Sequence, residues 1–102
     1  MNIEKTKEAF GTKLVINGLI KTVEDSATFK EAVTEAFTTN PSEPIAIHIK
    51  ESFIITSSII GSLLKLIKKD NAKISLFIYQ NDLFELIEKL NLVELLNARA
   101  SQ

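Results

Sequence analysis

Three segments of the chain alternate apolar and polar side chains with the period of two that a half-buried β-strand requires. In the second of them Ile45, Ile47 and Ile49 share one face, and Ala46 and His48 share the other. Each segment is rich in β-branched residues, which favour strands. The segments span residues 13–20, 45–50 and 73–79. The pattern therefore predicts three strands.

The two ends of the chain are less regular. Residues Asn2–Phe10 alternate more weakly, which predicts an amphipathic edge strand, and Gly11 with Thr12 predicts the turn that follows it. Residues 98–102 show no periodic pattern, so we expect them to fray. The sheet is therefore expected to have four to five strands.

Between the strands the apolar spacing changes to three and four residues, as in a helix with one buried face. The apolar stripes comprise Phe29, Ala32, Val33, Ala36 and Phe37; then Ile60, Leu63, Leu64 and Ile67; then Leu83, Leu86, Ile87 and Leu90. Polar residues that cap helix starts precede each stripe. The expected caps are Asp25 or Ser26, one of Thr56–Ser58, and Asp82 paired with Glu85.

Strands that alternate with helices predict parallel βαβ units with right-handed crossovers. A sheet covered on both faces has continuous apolar strands, whereas these strands carry mixed residues on their second face. We therefore expect an α/β fold with a mixed, mostly parallel sheet and helices mainly on one face. The length predicts one domain over residues 1–102, with its core at about residues 13–96.

Charge and composition narrow the class of partner. The chain has 12 Lys and Arg against 13 Asp and Glu, and its basic residues are spread along the sequence, so a nucleic-acid partner is not expected. With no cysteine, the chain has no disulfide.

The charged start MNIEKTKEAF does not resemble a signal peptide, and no apolar run is long enough for a membrane span. We expect a cytoplasmic protein.

The side chains that perform catalysis are scarce. His48 is the one histidine, it lies in mid-strand, and no nucleophile or acid stands beside it in sequence. The three glycines form neither a GxGxxG motif nor a phosphate-binding loop, and no metal-ligand spacing occurs. We therefore expect no enzyme activity, no catalytic residue, no metal and no cofactor.

Two motifs and the order of the elements resemble the STAS domain, the family of bacterial anti-sigma factor antagonists. The segment LVINGLIKTVEDSATFKEAV resembles the opening strand and first helix of that family, with Gly18 at its usual glycine. The segment FIITSSIIGSLLKLIKK is similar to the family's Asp-Ser-Ser-Gly-Leu-Gly junction of loop and helix, and KISLFIYQNDLFELIEKLNLVELL resembles the closing elements. The resemblance covers about Lys13–Leu96.

The resemblance implies a regulatory function. In that family a serine at the helix start is phosphorylated by an anti-sigma factor that is also a serine kinase of the histidine-kinase-like ATPase type, and a serine phosphatase acts in the same system. The unmodified protein binds the anti-sigma factor and so frees the sigma factor. The phosphorylated protein releases the anti-sigma factor. The matching serine is Ser57, with Ser58 and Thr56 as alternatives. The residues around it that we expect to bind the partner are Phe53, Ile54, Thr56, Ser58 and Ile59.

This segment also departs from the family. Thr56 replaces the usual Asp, and Ile59 replaces the Gly after the serine pair, whereas Gly61 keeps the later glycine. The loss of Asp removes a carboxylate beside the phosphorylatable hydroxyl, which changes what a kinase recognises. Ile59 puts a branched side chain where a partner needs close approach. An alternative interpretation of the hydroxyls is that they only cap the helix, since such residues are common at helix starts. The corresponding alternative for Ile54, Ile55 and Ile59 is that they are buried in the core.

Two other functions therefore stay open. One is a constitutive STAS scaffold or interaction domain that has lost the phosphorylation switch. The other, ranked last, is a small-ligand site on the open sheet face near His48 and Tyr79. The lysines at the end of the second helix, Lys65, Lys68 and Lys69, are interpreted as a solvated face that suits the helix dipole. The oligomeric state is not predicted.

Overall fold

The computed structural model describes residues 1–102 and contains one sheet of five strands and three helices. No helix is long and apolar enough to cross a membrane. In chain order the elements are β1 (Asn2–Glu8), β2 (Gly11–Asn17), α1 (Val23–Thr39), β3 (Ile45–Ile49), α2 (Ser57–Asp70), β4 (Ile74–Ile78), α3 (Asn81–Lys89) and β5 (Ala98–Ala100).

The strands lie side by side in chain order. β1 and β2 form an antiparallel hairpin, and β2, β3, β4 and β5 are parallel neighbours. Each parallel pair is joined by one helix, because two parallel neighbours need a crossover between the end of one strand and the start of the next. The predicted α/β fold with a mixed, mostly parallel sheet is therefore confirmed, with five strands.

One face of the sheet carries the core. Ile47 of β3 is fully buried with Phe29 of α1, Ile59 of α2 and Leu83 of α3, in one cluster of 20 buried apolar residues. The intervening strand side chains, such as His48, point to the other face and stay half-buried without a helix over them. The expectation that the helices lie mainly on one face is confirmed.

The hairpin turn lies at Ala9–Phe10, two residues earlier than predicted. Gly11 and Thr12 instead open β2, where the backbone N–H of Thr12 donates to the carbonyl of Pro44 at 3.0 Å. A Cβ on Gly11 would lie 2.2 Å from that oxygen, so the close approach requires glycine. The predicted turn was wrong because this contact joins residues far apart in sequence.

The start of α1 also differs from the prediction. Thr22 is the N-cap, and its hydroxyl accepts from the backbone N–H of Asp25 at 2.9 Å. The Asp25 carboxylate accepts from the N–H groups of Lys21 and Thr22, and these bonds lower the pKa of Asp25. Asp25 thus completes a capping box from the third helical position, and Ser26 lies buried in the helix.

The predicted cap of α3 does not form. Gln80 precedes the helix without a side-chain cap bond, and Asp82 lies inside the first turn. A capping box needs its first residue just outside the helix. Because α3 begins at Asn81, Asp82 and Glu85 lie in the wrong register for it.

The C-terminal residues form a strand instead of fraying. β5 pairs with β4 in parallel, with Phe77 opposite Arg99, and Ser101 donates its N–H to the carbonyl of Ile78 at 2.8 Å. Leu96, which is fully buried, anchors the turn that precedes the strand. The prediction was wrong because a strand of three residues is too short to show a period and depends on its neighbour for hydrogen bonds.

Candidate functional site

The loop between β3 and α2 is held in place by its neighbour, the loop after β2. Ser52 is fully buried, and its hydroxyl accepts from the backbone N–H of Ile20 at 3.1 Å and donates to the carbonyl of Ile54 at 2.8 Å. The Glu51 carboxylate accepts from the N–H of Gly18 at 2.7 Å. These bonds fix the path of the loop before α2 begins.

This loop presents two apolar side chains to solvent. Phe53 is 48% exposed and Ile54 is 42% exposed, whereas Ser52 before them and Ile55 after them are buried. The chain therefore touches the core on either side of the pair and holds the pair outward. Adjacent exposed apolar side chains form a small apolar patch, and a surface that binds another protein contains such patches.

Thr56 begins α2 and is the residue of the hydroxyl segment that its own fold uses most. Its Oγ1 accepts from the backbone N–H of Ile59 at 3.2 Å, which makes it the N-cap. The same oxygen lies 3.0 Å from Oγ of Ser26, a residue of α1 that is 5% exposed. Thr56 thus joins the starts of α1 and α2, and it is only half-exposed.

The next two hydroxyls are both exposed but differ in their contacts. Ser58 Oγ accepts from the Nζ of Lys30 on α1 at 2.7 Å. Ser57, at the first helical position, forms no side-chain hydrogen bond and is exposed to solvent. Among the three predicted hydroxyls, Ser57 is therefore the one that is both accessible and free of a structural partner.

The predicted docking role of Ile59 needs correction. Its side chain is fully buried in the core, so it offers no surface to a partner in this fold. Because the branched side chain points inward, it also does not obstruct a partner that approaches the helix start. The alternative that Ile55 and Ile59 belong to the core is the correct one, whereas Ile54 remains at the surface.

The electrostatic surroundings of Ser57 favour negative charge. The first turn of α2 contains no acidic residue, and the N–H groups at a helix start carry partial positive charge. Lys30 adds a cation at the neighbouring residue, Ser58. A phosphoryl group on Ser57 would therefore meet attraction from its own chain and no nearby carboxylate on α2.

The alternative site on the open sheet face is also a real cluster. The ring of His48 stacks on that of Phe77, with centroids 4.5 Å apart and planes 9° apart. His48 Nδ1 lies 2.8 Å from the hydroxyl of Tyr79, and Nζ of Lys50 lies 4.1 Å from the centre of the Tyr79 ring. The period of two already places all four residues on the second face of their strands, although only His48 and Tyr79 were predicted to mark a ligand site.

The charge state of His48 follows from this setting. Partial burial is the main cause that lowers the pKa of His48. The nearby cations Lys13 and Lys50 lower this pKa further, whereas Glu8 raises it. The neutral imidazole is therefore the favoured form of His48 at pH 7. No group of three or more His, Asp and Glu side chains is placed to hold a metal ion.

No family model matches the chain, and no curated protein matches it in sequence.

Sequence reasoning missed the partners of the candidate hydroxyls. Ser26 and Lys30 lie 30 and 28 residues before the hydroxyls that they contact. Their positions on α1 carry one usable signal, since residues four apart on a helix share a face. That spacing places them together but does not show which neighbour they face.

Proposed function

We propose that the chain is a non-enzymatic regulatory binding module of the STAS type, in which phosphorylation of Ser57 controls docking to a partner protein. The partner and modifying enzymes are those that the resemblance implies: an anti-sigma factor that is a serine kinase of the histidine-kinase-like ATPase type, and a serine phosphatase. The observation that carries the proposal is the contrast between Ser57, which is exposed and unbonded, and its bonded neighbours Thr56 and Ser58.

The docking patch of this proposal is the exposed pair Phe53 and Ile54, which precedes Ser57 by three to four residues. Unmodified Ser57 is small and neutral, so a partner surface that offers its hydroxyl one hydrogen bond covers it at little cost. A phosphoryl group adds about −1.5 to −2 charge, which must lose water when the same surface closes over it. A loss of about 3 kcal/mol of binding free energy weakens a complex about 150-fold, which is enough to release a partner.

The same modification leaves the fold of the module intact. A charge at the first position of α2 is favoured by the helix dipole, and the cation Lys30 is bonded to the neighbouring residue, Ser58. Phosphorylation therefore acts on the contact with the partner and not on the stability of the module. Phosphorylation is therefore expected to release the partner without reducing the helix content of the module.

The direct test is phosphorylation of the full chain by candidate serine kinases of the source organism with ATP, read by intact-mass and fragment mass spectrometry. We expect one phosphoryl group on Ser57. Ser57→Ala should abolish it, and the matched variant Ser58→Ala should retain it. Absence of a phosphoryl group anywhere in Thr56–Ser58 with every such kinase would contradict the proposal.

The constitutive interaction domain is the second candidate, and the bond of Thr56 favours it because that bond is what a permanent helix cap requires. The two functions differ in one variant. Once a partner is isolated, Ser57→Asp should weaken its binding at least tenfold if the switch operates and should leave it unchanged in a constitutive domain. Circular dichroism of Ser57→Asp should match the unmodified chain in both cases.

A further inference from the structure

One end of the open sheet face combines a cavity with unpaired polar groups, and none of them takes part in the proposed switch. The cavity is shallow and open to solvent, with a volume of about 440 Å³. Phe10, Pro44 and Ala46 line it, together with backbone and side-chain atoms of residues 8, 9, 11 and 12. Phe10 is 88% exposed, so this aromatic ring has no partner in the fold.

The cluster around His48 adjoins this cavity. Ala46 is two residues before His48 and therefore faces the same side of β3. Lys13 of β2 is the cross-strand neighbour of Ala46, and both lie on the open face. Neither Lys13 nor His48 lines the cavity itself. Side chains two apart on a strand are separated by about 7 Å, so a molecule seated at Ala46 has to extend by about that distance to reach the His48 ring.

The polar groups at this end still have hydrogen-bonding capacity. His48 Nδ1 is engaged by Tyr79, which directs the other ring nitrogen, Nε2, away from Tyr79 and leaves it without a bond. Lys13 forms neither an ion pair nor a hydrogen bond, although the salt bridges of the protein engage other lysines. Glu8 is the one carboxylate that lines the cavity.

We infer that this end of the open face binds a small aromatic anion, with its ring in the cavity against Phe10 and Ala46 and its anionic group at Lys13 and His48. The apolar lining suits the ring. The charges decide the orientation, because Glu8 repels an anionic group from its own end of the cavity whereas Lys13 attracts it. Two sources share this chemistry: a nucleotide, whose anion is a phosphate, and an aromatic carboxylate.

The charge state of His48 supplies a readout that non-specific binding to the apolar cavity does not move. Burial is the main reason that the pKa of His48 lies below its usual value; the charged groups that act on the ring are Lys13 and Lys50, which lower the pKa further, and Glu8, which raises it. An anion placed between Lys13 and the ring offsets that repulsion, so the bound form should titrate at higher pH than the free form. A neutral ligand in the same cavity should leave the titration unchanged or lower it.

The experiment uses the full unmodified chain and four probes: adenosine 5′-monophosphate and indole-3-carboxylate, with adenosine and indole as uncharged matches. Binding is followed by amide and imidazole NMR. We expect at least one anion to bind with a dissociation constant of about 1 mM or tighter, with shifts at Ala46 and His48, and its uncharged match to bind about threefold to fivefold more weakly. Which anion binds identifies the source.

Two variants locate the anionic group. Lys13→Gln should weaken the bound anion about threefold to fivefold and abolish the rise in the His48 pKa. The matched variant Lys68→Gln, which removes an exposed cation of α2 on the other side of the sheet, should leave both unchanged. The inference is overturned if neither anion shifts Ala46 and His48, if the uncharged matches bind equally well, or if Lys13→Gln has no effect.

This outcome is independent of the phosphorylation switch. The NMR experiment needs no kinase, no partner and no modified serine, and Ser57→Asp should bind the anion as the unmodified chain does. A failure of the anion to bind leaves the Ser57 proposal standing, and a failure of Ser57 phosphorylation leaves the open-face inference standing.

Discussion

The hydroxyl of Thr56 should be the most costly of the three at the start of α2 to remove, although it is not the proposed phosphorylation site. Thr56→Ala deletes the N-cap of α2, which typically costs about 1 kcal/mol of unfolding free energy. It also removes the partner of the Ser26 hydroxyl, which lies 3.0 Å away on a residue that is 5% exposed. A buried polar group left without a partner costs about 1–2 kcal/mol more.

The expected total is about 2–3 kcal/mol. For a domain of this size that corresponds to a fall in melting temperature of about 10–20 °C. The assay is urea and thermal denaturation followed by far-ultraviolet circular dichroism. Thr56→Ser is the matched control, because serine keeps the capping oxygen and caps at least as well as threonine; it should stay within about 0.5 kcal/mol of the parent.

A double-mutant cycle separates the two contributions. Ser26→Ala alone also breaks the bond between the helices, so the double variant Ser26→Ala/Thr56→Ala should cost about 1 kcal/mol less than the sum of the single variants. The reasoning is refuted if Thr56→Ala destabilises by less than about 0.5 kcal/mol, or if Thr56→Ser is as costly as Thr56→Ala. Strict additivity in the cycle would refute the contribution of the Ser26–Thr56 bond but not the capping role of Thr56.

Two further predictions concern the sheet. Gly11→Ala should destabilise the fold by about 2 kcal/mol or more, because the new Cβ meets the Pro44 carbonyl at 2.2 Å; Gly61→Ala, with nothing within 4 Å in α2, should instead stabilise it by up to about 1 kcal/mol in urea denaturation. His48 has a folded pKa below its unfolded value of 6.5, so the unfolded chain binds the proton more readily. Its contribution to the free energy of unfolding should be fully present above pH 6.5 and be lost as the pH falls through 6.5 toward the folded pKa. His48→Gln should remove this pH dependence of the unfolding free energy, and an unchanged pH dependence would contradict its assignment to His48.

Much of the architecture follows from the apolar spacing of the sequence. Ile45, Ile47 and Ile49 share the buried face as their period of two predicts, and Phe29 and Val33 share the buried stripe of α1. The boundaries were less well predicted. The N-cap of α1 is Thr22 and not Asp25 or Ser26, because several adjacent polar residues are able to cap a helix.

The candidate site divides in the same way. The sequence identified the hydroxyl segment Thr56–Ser58 and the apolar pair before it, through local pattern and a family resemblance. It did not distinguish the three hydroxyls, because their difference lies in contacts with α1: Ser26 engages Thr56, and Lys30 engages Ser58. It also placed Ile59 on the docking surface, whereas the turn of α2 directs that side chain into the core.

The sequence by itself determined the strands β1 to β4, the three helices, and which face of the helices and of β2, β3 and β4 is buried, because these depend on contacts between residues two to four apart. Only the tertiary structure decided that residues 98–100 form a fifth strand, that Ser57 is the free hydroxyl, and that the ring of His48 stacks on that of Phe77. Those features depend on pairs separated by about 20 residues or more, and the order in which the strands pack sets their distances.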